Sequence, residues 1–180
     1  DIERRTVIKT ALAAGAAAAI PAIATAADKP LAGKSVLITG ASSGFGYLGA
    51  LHYARLGANV IASMRNLPRD EAAQLIKAGV AEKLTIAVVE IDVTSDEQVA
   101  KGVAEAEKIA GGPIDILVNN AGVGYAGPIE LQDMAATKLI FDTNVYGPHR
   151  MARAVLPGMR KAKRGLIFNI SSQLGRVIVP

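Results

Sequence analysis

The 180 residues contain no cysteine, which excludes disulfides and thiolate-held metals within them. That absence fixes no redox compartment, because oxidising and reducing compartments both tolerate cysteine-free proteins. Histidine is nearly as scarce. His52 and His149 are the only two, they fall on separate predicted helices, and they make no hydrolytic or metal-binding pair; no metal is expected. Aromatic residues amount to 4%, which suits a soluble α/β chain built on Ala, Val, Ile and Leu better than an all-β or disordered one. A strong charge of one sign is also missing. Twenty Lys and Arg against sixteen Asp and Glu leave a net charge of +4, spread along the chain. The one tight basic cluster, Arg160, Lys161, Lys163 and Arg164, reads as a solvated helix end rather than a nucleic-acid surface. No nucleic-acid partner is expected.

What is present divides into two parts. Residues 1–27 read as an address rather than as fold. Arg4-Arg5 precedes a weakly apolar, Ala-rich stretch over residues 10–27, and Ala24-Thr25-Ala26 offers small residues for cleavage. This resembles a twin-arginine export signal. It implies a periplasmic protein that meets the membrane only during export, with a cytoplasmic location as the alternative. Pro21 and the weak hydrophobicity argue against a permanent span, and an Ala-rich helical extension or membrane tether is the competing reading. Asp1 in place of a starting methionine points to processing or to an incomplete sequence.

Residues 28–180 have the length of one domain. Short apolar runs at 35–39, 59–63, 84–91, 114–118 and 166–170 read as buried strands. Helical patterns at 44–56 (closed by Gly57), at 70–81, from Ser95 to Gly111-Gly112, and at 134–159 separate them. Ser95 and Gln98 form a capping-box pattern, and Gly147-Pro148 predicts a break or kink in the last helix. Strands alternating with helices predict an α/β fold, a Rossmann-like doubly wound parallel sheet of five strands.

The chemistry-bearing motifs fall at strand ends. Between the first strand and first helix stands Thr39-Gly40-Ala41-Ser42-Ser43-Gly44-Phe45-Gly46. Glycines there allow a tight turn and close approach of backbone to a pyrophosphate, and the helix N-terminus adds free N–H groups and a positive dipole end. Asp92-Val93 follows the third strand, Asn119-Asn120-Ala121-Gly122 the fourth, and Asn169-Ile170-Ser171-Ser172 closes the fifth, with Asn144 in the long helix. Each has an ordinary structural alternative: a loop cap, a backbone-satisfying amide, a turn serine. Their joint order and spacing resemble the short-chain dehydrogenase/reductase family from about Leu31 to Pro180, in the branch with the T-G-x-x-x-G-x-G loop.

That resemblance implies a nicotinamide cofactor held by Gly40, Ser42, Ser43, Gly44, Phe45, Gly46, Arg65, Asp92, Val93, Asn120, Ala121, Gly122 and Ile170. Where relatives that prefer NAD(H) carry an acidic residue at the end of the second strand, this chain has Met64-Arg65. A guanidinium suits a 2′-phosphate, so NADP(H) is favoured over NAD(H), although Ser43 occupies a position that is often basic. The resemblance further implies an oxidoreductase that interconverts an alcohol and a ketone or aldehyde by hydride transfer. In it Ser172 binds the substrate oxygen, and Asn144 holds a helix bend and a water. The family's acid–base tyrosine, in a Tyr-x-x-x-Lys turn about a dozen residues after the serine, would fall beyond Pro180. The chain therefore reads as a C-terminally incomplete fragment, inactive by itself.

None of the tyrosines present replaces it. Tyr47, Tyr53 and Tyr125 have no lysine four residues on, and Tyr146 has Arg150 on the wrong element. The alternative function is a non-catalytic NADP(H)-binding module. A sugar-nucleotide epimerase is disfavoured by the glycine spacing. Tyr125, Pro128 and Leu174 are candidates for the substrate pocket's edge, a small-molecule alcohol or carbonyl is the expected partner, and the complete protein is expected to form a homo-oligomer.

Overall fold

The computed structural model describes residues 29–125 and 127–172; residues 1–27, read above as an export signal, and Leu174 lie outside them. Five strands, β1 (Ser35–Ile38), β2 (Asn59–Met64), β3 (Ile86–Glu90), β4 (Ile116–Asn119) and β5 (Leu166–Asn169), form one sheet in the order β3-β2-β1-β4-β5. Every pairing is parallel. The Rossmann-like doubly wound fold expected from the sequence is therefore the observed one.

Side-chain alternation along the strands builds two cores. Val36 and Ile38 of β1 join Val60, Ala62 and Met64 of β2 on one face. There α1 (Gly44–Arg55) and α2 (Asp70–Ala81) cover them through Ala50, Leu51, Ala54 and Leu75. Leu37, Ile61 and Leu117 point the other way, beneath Val99, Val103 and Ala106 of α3 (Asp96–Ala110). Met151, Val155 and Met159 of the last helix complete that layer. Strands buried on both faces need continuous apolar runs, which is why periodicity located them.

Several boundaries moved for identifiable reasons. β3 starts at Ile86, because the Leu84 N–H closes α2 on the Gly79 carbonyl at 2.8 Å. β4 starts at Ile116, because the Asp115 N–H donates to Ser35 Oγ at 2.9 Å rather than to the ladder. β1 ends at Ile38 and β5 at Asn169, each one residue short of the expected end. Gly57 closes α1 as expected, with φ +96°. Ser95 accepts from the Gln98 N–H at 3.2 Å, but the Gln98 side chain accepts from the Asp92 N–H at 3.0 Å. The capping box is half made, and its glutamine anchors the loop after β3 instead.

The long helix differs most. It runs as α4 (Met134–Phe141), a π-helical turn (Asp142–Tyr146) and α5 (Gly147–Ala162). The disturbance precedes Gly147-Pro148 rather than falling on it. Pro148 is tolerated because it occupies the first turn of α5, where no intrahelical N–H bond is required. The π turn is pinned by Arg150, whose guanidinium donates to Asp142 Oδ1 (2.7 Å), Asp96 Oδ1 (3.0 Å) and the Val93 carbonyl (3.2 Å). Arg160 and Lys161 lie in the last turn of α5, and Lys163 caps it in the left-handed region. That is the helix-end role expected of the basic cluster. Among the described residues no helix is long and apolar enough to cross a membrane.

The amino-terminal edge of the sheet is held by Asp115. One carboxylate oxygen accepts from Ser35 N–H (3.0 Å) and Oγ–H (3.2 Å), and the other from Arg164 Nε (2.6 Å). Burial alone pushes this carboxyl up, but the Ser35 N–H, the Arg164 guanidinium and the Ser35 hydroxyl together hold it below its ordinary value. A depressed carboxyl stabilises the fold at pH above its unfolded value of about 3.9, and that contribution disappears as pH falls through the lower folded value. Asp115→Ala should therefore cost about 2–3 kcal/mol at neutral pH, mostly through the Ser35 bonds since Arg164 is exposed. Urea unfolding across a pH series checks this; the wild-type advantage should shrink below about pH 4.

Candidate functional site

The chain order makes one end of this sheet special. Connections leaving β1 and β2 put α1 and α2 on one face, while those leaving β3 and β4 put α3 and α5 on the other. A crevice opens between them at the carboxyl ends of β1 and β4, where open α/β sheets bind ligands.

Thr39 joins the two sides of that crevice. It is 1% exposed, and its Oγ1 accepts from the N–H groups of Asn120 (3.1 Å) and Ala121 (3.0 Å) while donating to the Val118 carbonyl (3.5 Å). Asn120 answers from the other strand. Its Nδ2 donates to the carbonyls of Thr39 (2.9 Å) and Gly40 (3.2 Å). The close approach dictates two glycines. A Cβ at Gly40, which has φ +68°, would lie 2.7 Å from Ala121 Cα, and one at Gly46 would collide with the Gly40 carbonyl and the Asn120 amide. At the start of α1, Ser43 makes no side-chain cap bond and the first turn carries no acidic residue. The helix's positive end is left for an anion.

Most of the expected cofactor set meets here. Gly40, Ser42, Ser43 and Phe45 from the glycine loop line one open cleft with Arg65, Asp92 and Val93. Asn120, Ala121 and Gly122 close its other side. Gly44, Gly46 and Ile170 are not among its walls; Gly46 acts from behind, by the contacts just described. Asp92 has a second role, since its Oδ1 accepts from the Thr94 N–H (2.9 Å) and hydroxyl (2.7 Å). The loop-cap reading and the cleft reading are both satisfied by one side chain.

At the end of β2, Met64 is 1% exposed and sits in the core, whereas Arg65 is exposed and has no ion-pair partner among the described residues. The sequence did not point to Arg69, Val123 or Thr143, which also line the cleft. Arg69 is the N-cap residue of α2 and binds Glu71 through two bonds, 2.9 and 2.8 Å. Those bonds hold the Glu71 carboxyl down to about 2. No spacing rule marks an arginine at that position, so only the fold reveals it.

The two expected catalytic residues stand outside the walls of this cleft. Asn144 lies in the π turn, and its amide clasps one residue of the loop after β4. Oδ1 accepts from the Val123 N–H (2.9 Å) and Nδ2 donates to the Val123 carbonyl (2.8 Å). Ser172 is exposed and leaves the sheet beyond β5, on the same end as Asn120, because Asn169 pairs in register with Asn119. Tyr125 and Pro128 border a separate, shallow pocket with Leu131. Tyr146 is 54% exposed, and Arg150 is bonded to Asp142 and Asp96. The Tyr146/Arg150 spacing therefore carries no acid–base pair. Among the described residues no cluster could hold a metal ion.

A family model described as short chain dehydrogenase matches residues 34–180. The chain belongs to that family. It is 42% identical over 152 residues to retinol dehydrogenase 8 of Bos taurus, a match covering 83% of this chain and 46% of that protein. It is 37% identical over 145 residues to 3-ketodihydrosphingosine reductase of Bacteroides thetaiotaomicron, covering 81% and 49% respectively. Among solved structures, gluconate 5-dehydrogenase from Burkholderia cenocepacia, in complex with NADP and tartrate, superposes with a TM-score of 0.77 at 30% identity. That superposition covers 86% of this chain and 60% of that one. A metagenomic short-chain oxidoreductase in complex with NADP gives 0.75 at 32%, covering 83% and 66%. The chain spans about half the length of the curated relatives it matches. The fold it shares with the two NADP complexes is a nicotinamide-binding one.

The Thr39 hydroxyl is the most sensitive atom of this arrangement. Thr39→Val keeps the shape but leaves the Asn120 and Ala121 N–H groups without their acceptor, and should cost about 2–4 kcal/mol. Thr39→Ser should lose much less. Chemical denaturation of both variants beside the wild type measures the difference.

Proposed function

We propose that this domain binds NADP(H) in the β1/β4 cleft of an oxidoreductase that interconverts an alcohol and a ketone or aldehyde. The observation carrying the cofactor choice is Arg65: an exposed guanidinium in the cleft wall with no ion-pair partner among the described residues, next to a buried methionine where a carboxylate would favour the ribose hydroxyls of NAD(H). NADP(H), when bound, supplies the hydride at its nicotinamide ring. The glycine loop and the N-terminus of α1 hold the pyrophosphate, and the Thr39–Asn120 bonds keep the two loops at the separation this requires.

The substrate end is assigned to Ser172 and Asn144. The Ser172 hydroxyl is the hydrogen-bond donor for the substrate oxygen, stabilising the charge that develops there. Asn144 acts through position, fixing the Val123 backbone and the π turn. Ile170, just after β5, borders the nicotinamide end in this reading. No Tyr-x-x-x-Lys turn occurs in these 180 residues, so the acid–base step has no donor within them. The second reading, an NADP(H)-binding module without catalysis, differs from the first in whether a Tyr-x-x-x-Lys turn stands about a dozen residues after Ser172, a point beyond Pro180.

Fluorescence titration of the chain with NADPH and NADH, together with a carbonyl-reduction assay, tests the proposal. Saturable NADPH binding without turnover is the expected result. Arg65→Ala should weaken NADPH by about tenfold or more, the loss of one charge-assisted contact, and leave NADH nearly unchanged. Equal loss for both coenzymes would remove the case for NADP(H), and robust turnover by these 180 residues would overturn the assignment of the acid–base step elsewhere.

A further inference from the structure

Arg69 lines the same cleft as Arg65, but it presents a different surface. Its Nε and Nη2 donate to the two oxygens of Glu71 at 2.9 and 2.8 Å, and its Nη1 donates to the Arg65 carbonyl at 3.3 Å. Three of the five N–H groups are thereby engaged, and the Nε–Nη2 edge is given over to Glu71. The side chain is 28% exposed, and with its bidentate edge taken by the Glu71 carboxylate it can still offer its flat face. Binding a phosphate requires N–H edges, whereas a face suits an aromatic ring. Charge leads to the same distinction. Glu71 neutralises Arg69 at close range, so the pair offers no net attraction to a second dianion, while Arg65 keeps its full charge.

Position selects the ring. Arg69 follows the end of β2, on the side of the switch point where the adenosine half of a dinucleotide lies, away from the nicotinamide end beside β4. We infer that Arg69, latched edge-on by Glu71, is a stacking platform for the adenine of the bound dinucleotide and not a ligand of its 2′-phosphate. This rests on reading the cleft as an NADP(H) site. It gives the two cleft arginines separate tasks, with Arg69 contributing affinity common to both coenzymes and Arg65 contributing the discrimination.

Dissociation constants for NADPH and NADH, measured on the wild type and on Arg69→Ala, Arg69→Lys and Arg65→Ala, separate these tasks. Both Arg69 variants should weaken the two coenzymes by the same factor, roughly three- to tenfold, since lysine keeps the charge but not the plane. Arg65→Ala should act on NADPH alone. Selective loss of NADPH in Arg69→Ala, restored NADPH binding in Arg69→Lys, or no change in either coenzyme would overturn the stacking role. If the wild type binds neither coenzyme, the reading of the cleft falls first and this inference with it. Thermal melting of each variant without coenzyme shows whether it is folded, and Arg69→Lys carries the test should Arg69→Ala fail to fold.

Discussion

Everything at the binding end of this protein depends on one hydroxyl. Thr39 Oγ1 has one proton and two lone pairs, and all three are committed, to the Val118 carbonyl and to the N–H groups of Asn120 and Ala121. Strand pairing alone fixes β1 against β4 only as far as Ile38 and Val118. Beyond that point the two chains turn apart to make their loops, and the side-chain bonds of Thr39 and Asn120 take over from the ladder. They hold the glycine loop and the Asn120–Gly122 loop so close that Gly40 and Gly46 have no room for a Cβ. The cleft owes its shape to that separation.

The second constraint is the placement of positive charge. Arg150, Arg164 and Arg69 are each tied to a carboxylate; the first two pairs join the π turn to α3 and β5 to β4, while Arg69, paired with Glu71 inside the first turn of α2, reaches the β2 end through the Arg65 carbonyl. In these places the guanidinium serves as a multidentate connector whose charge is already satisfied. Arg65 is the exception in the cleft wall. A site for an anionic cofactor needs charge that the fold has not consumed, and sequence composition cannot distinguish consumed from available cations. Only the partner list does so.

This difference explains what could be read from the sequence. Strands buried on both faces announce themselves as apolar runs, so the sheet, its order of elements and its glycine loop were legible to within one or two residues. Gly40, Ser42, Ser43, Phe45, Arg65, Asp92, Val93, Asn120, Ala121 and Gly122 could be named because motif residues sit next to strand ends, and strand ends converge. Arg69, Val123 and Thr143 were not legible, because they enter the cleft through a helix cap, a loop and a π turn that have no periodic signature. Gly147-Pro148 marks the neighbourhood of the break, but does not reveal that it is a π turn ending just before them at Tyr146. Its cause is distributed over Arg150, Asp142, Asn144 and Val123, four residues whose pairing is fixed only by tertiary structure.

The two ends of the sheet are satisfied to different degrees, and the asymmetry has a physical logic. At the amino-terminal edge, Ser35 and Asp115 exchange three hydrogen bonds, and Arg164 takes the remaining carboxylate oxygen. At the carboxyl-terminal side lie the buried side-chain atoms that find no partner among the described residues: Ser63 Oγ near the end of β2, Asn119 Oδ1 at the end of β4, and Thr143 Oγ1 in the π turn. Of these three residues only Thr143 lines the cleft, and side-chain pairs anchor the sheet at its amino-terminal edge. At the carboxyl-terminal end the Thr39–Asn120 bonds do the anchoring, and the glycine loop and Arg65 remain in the cleft wall.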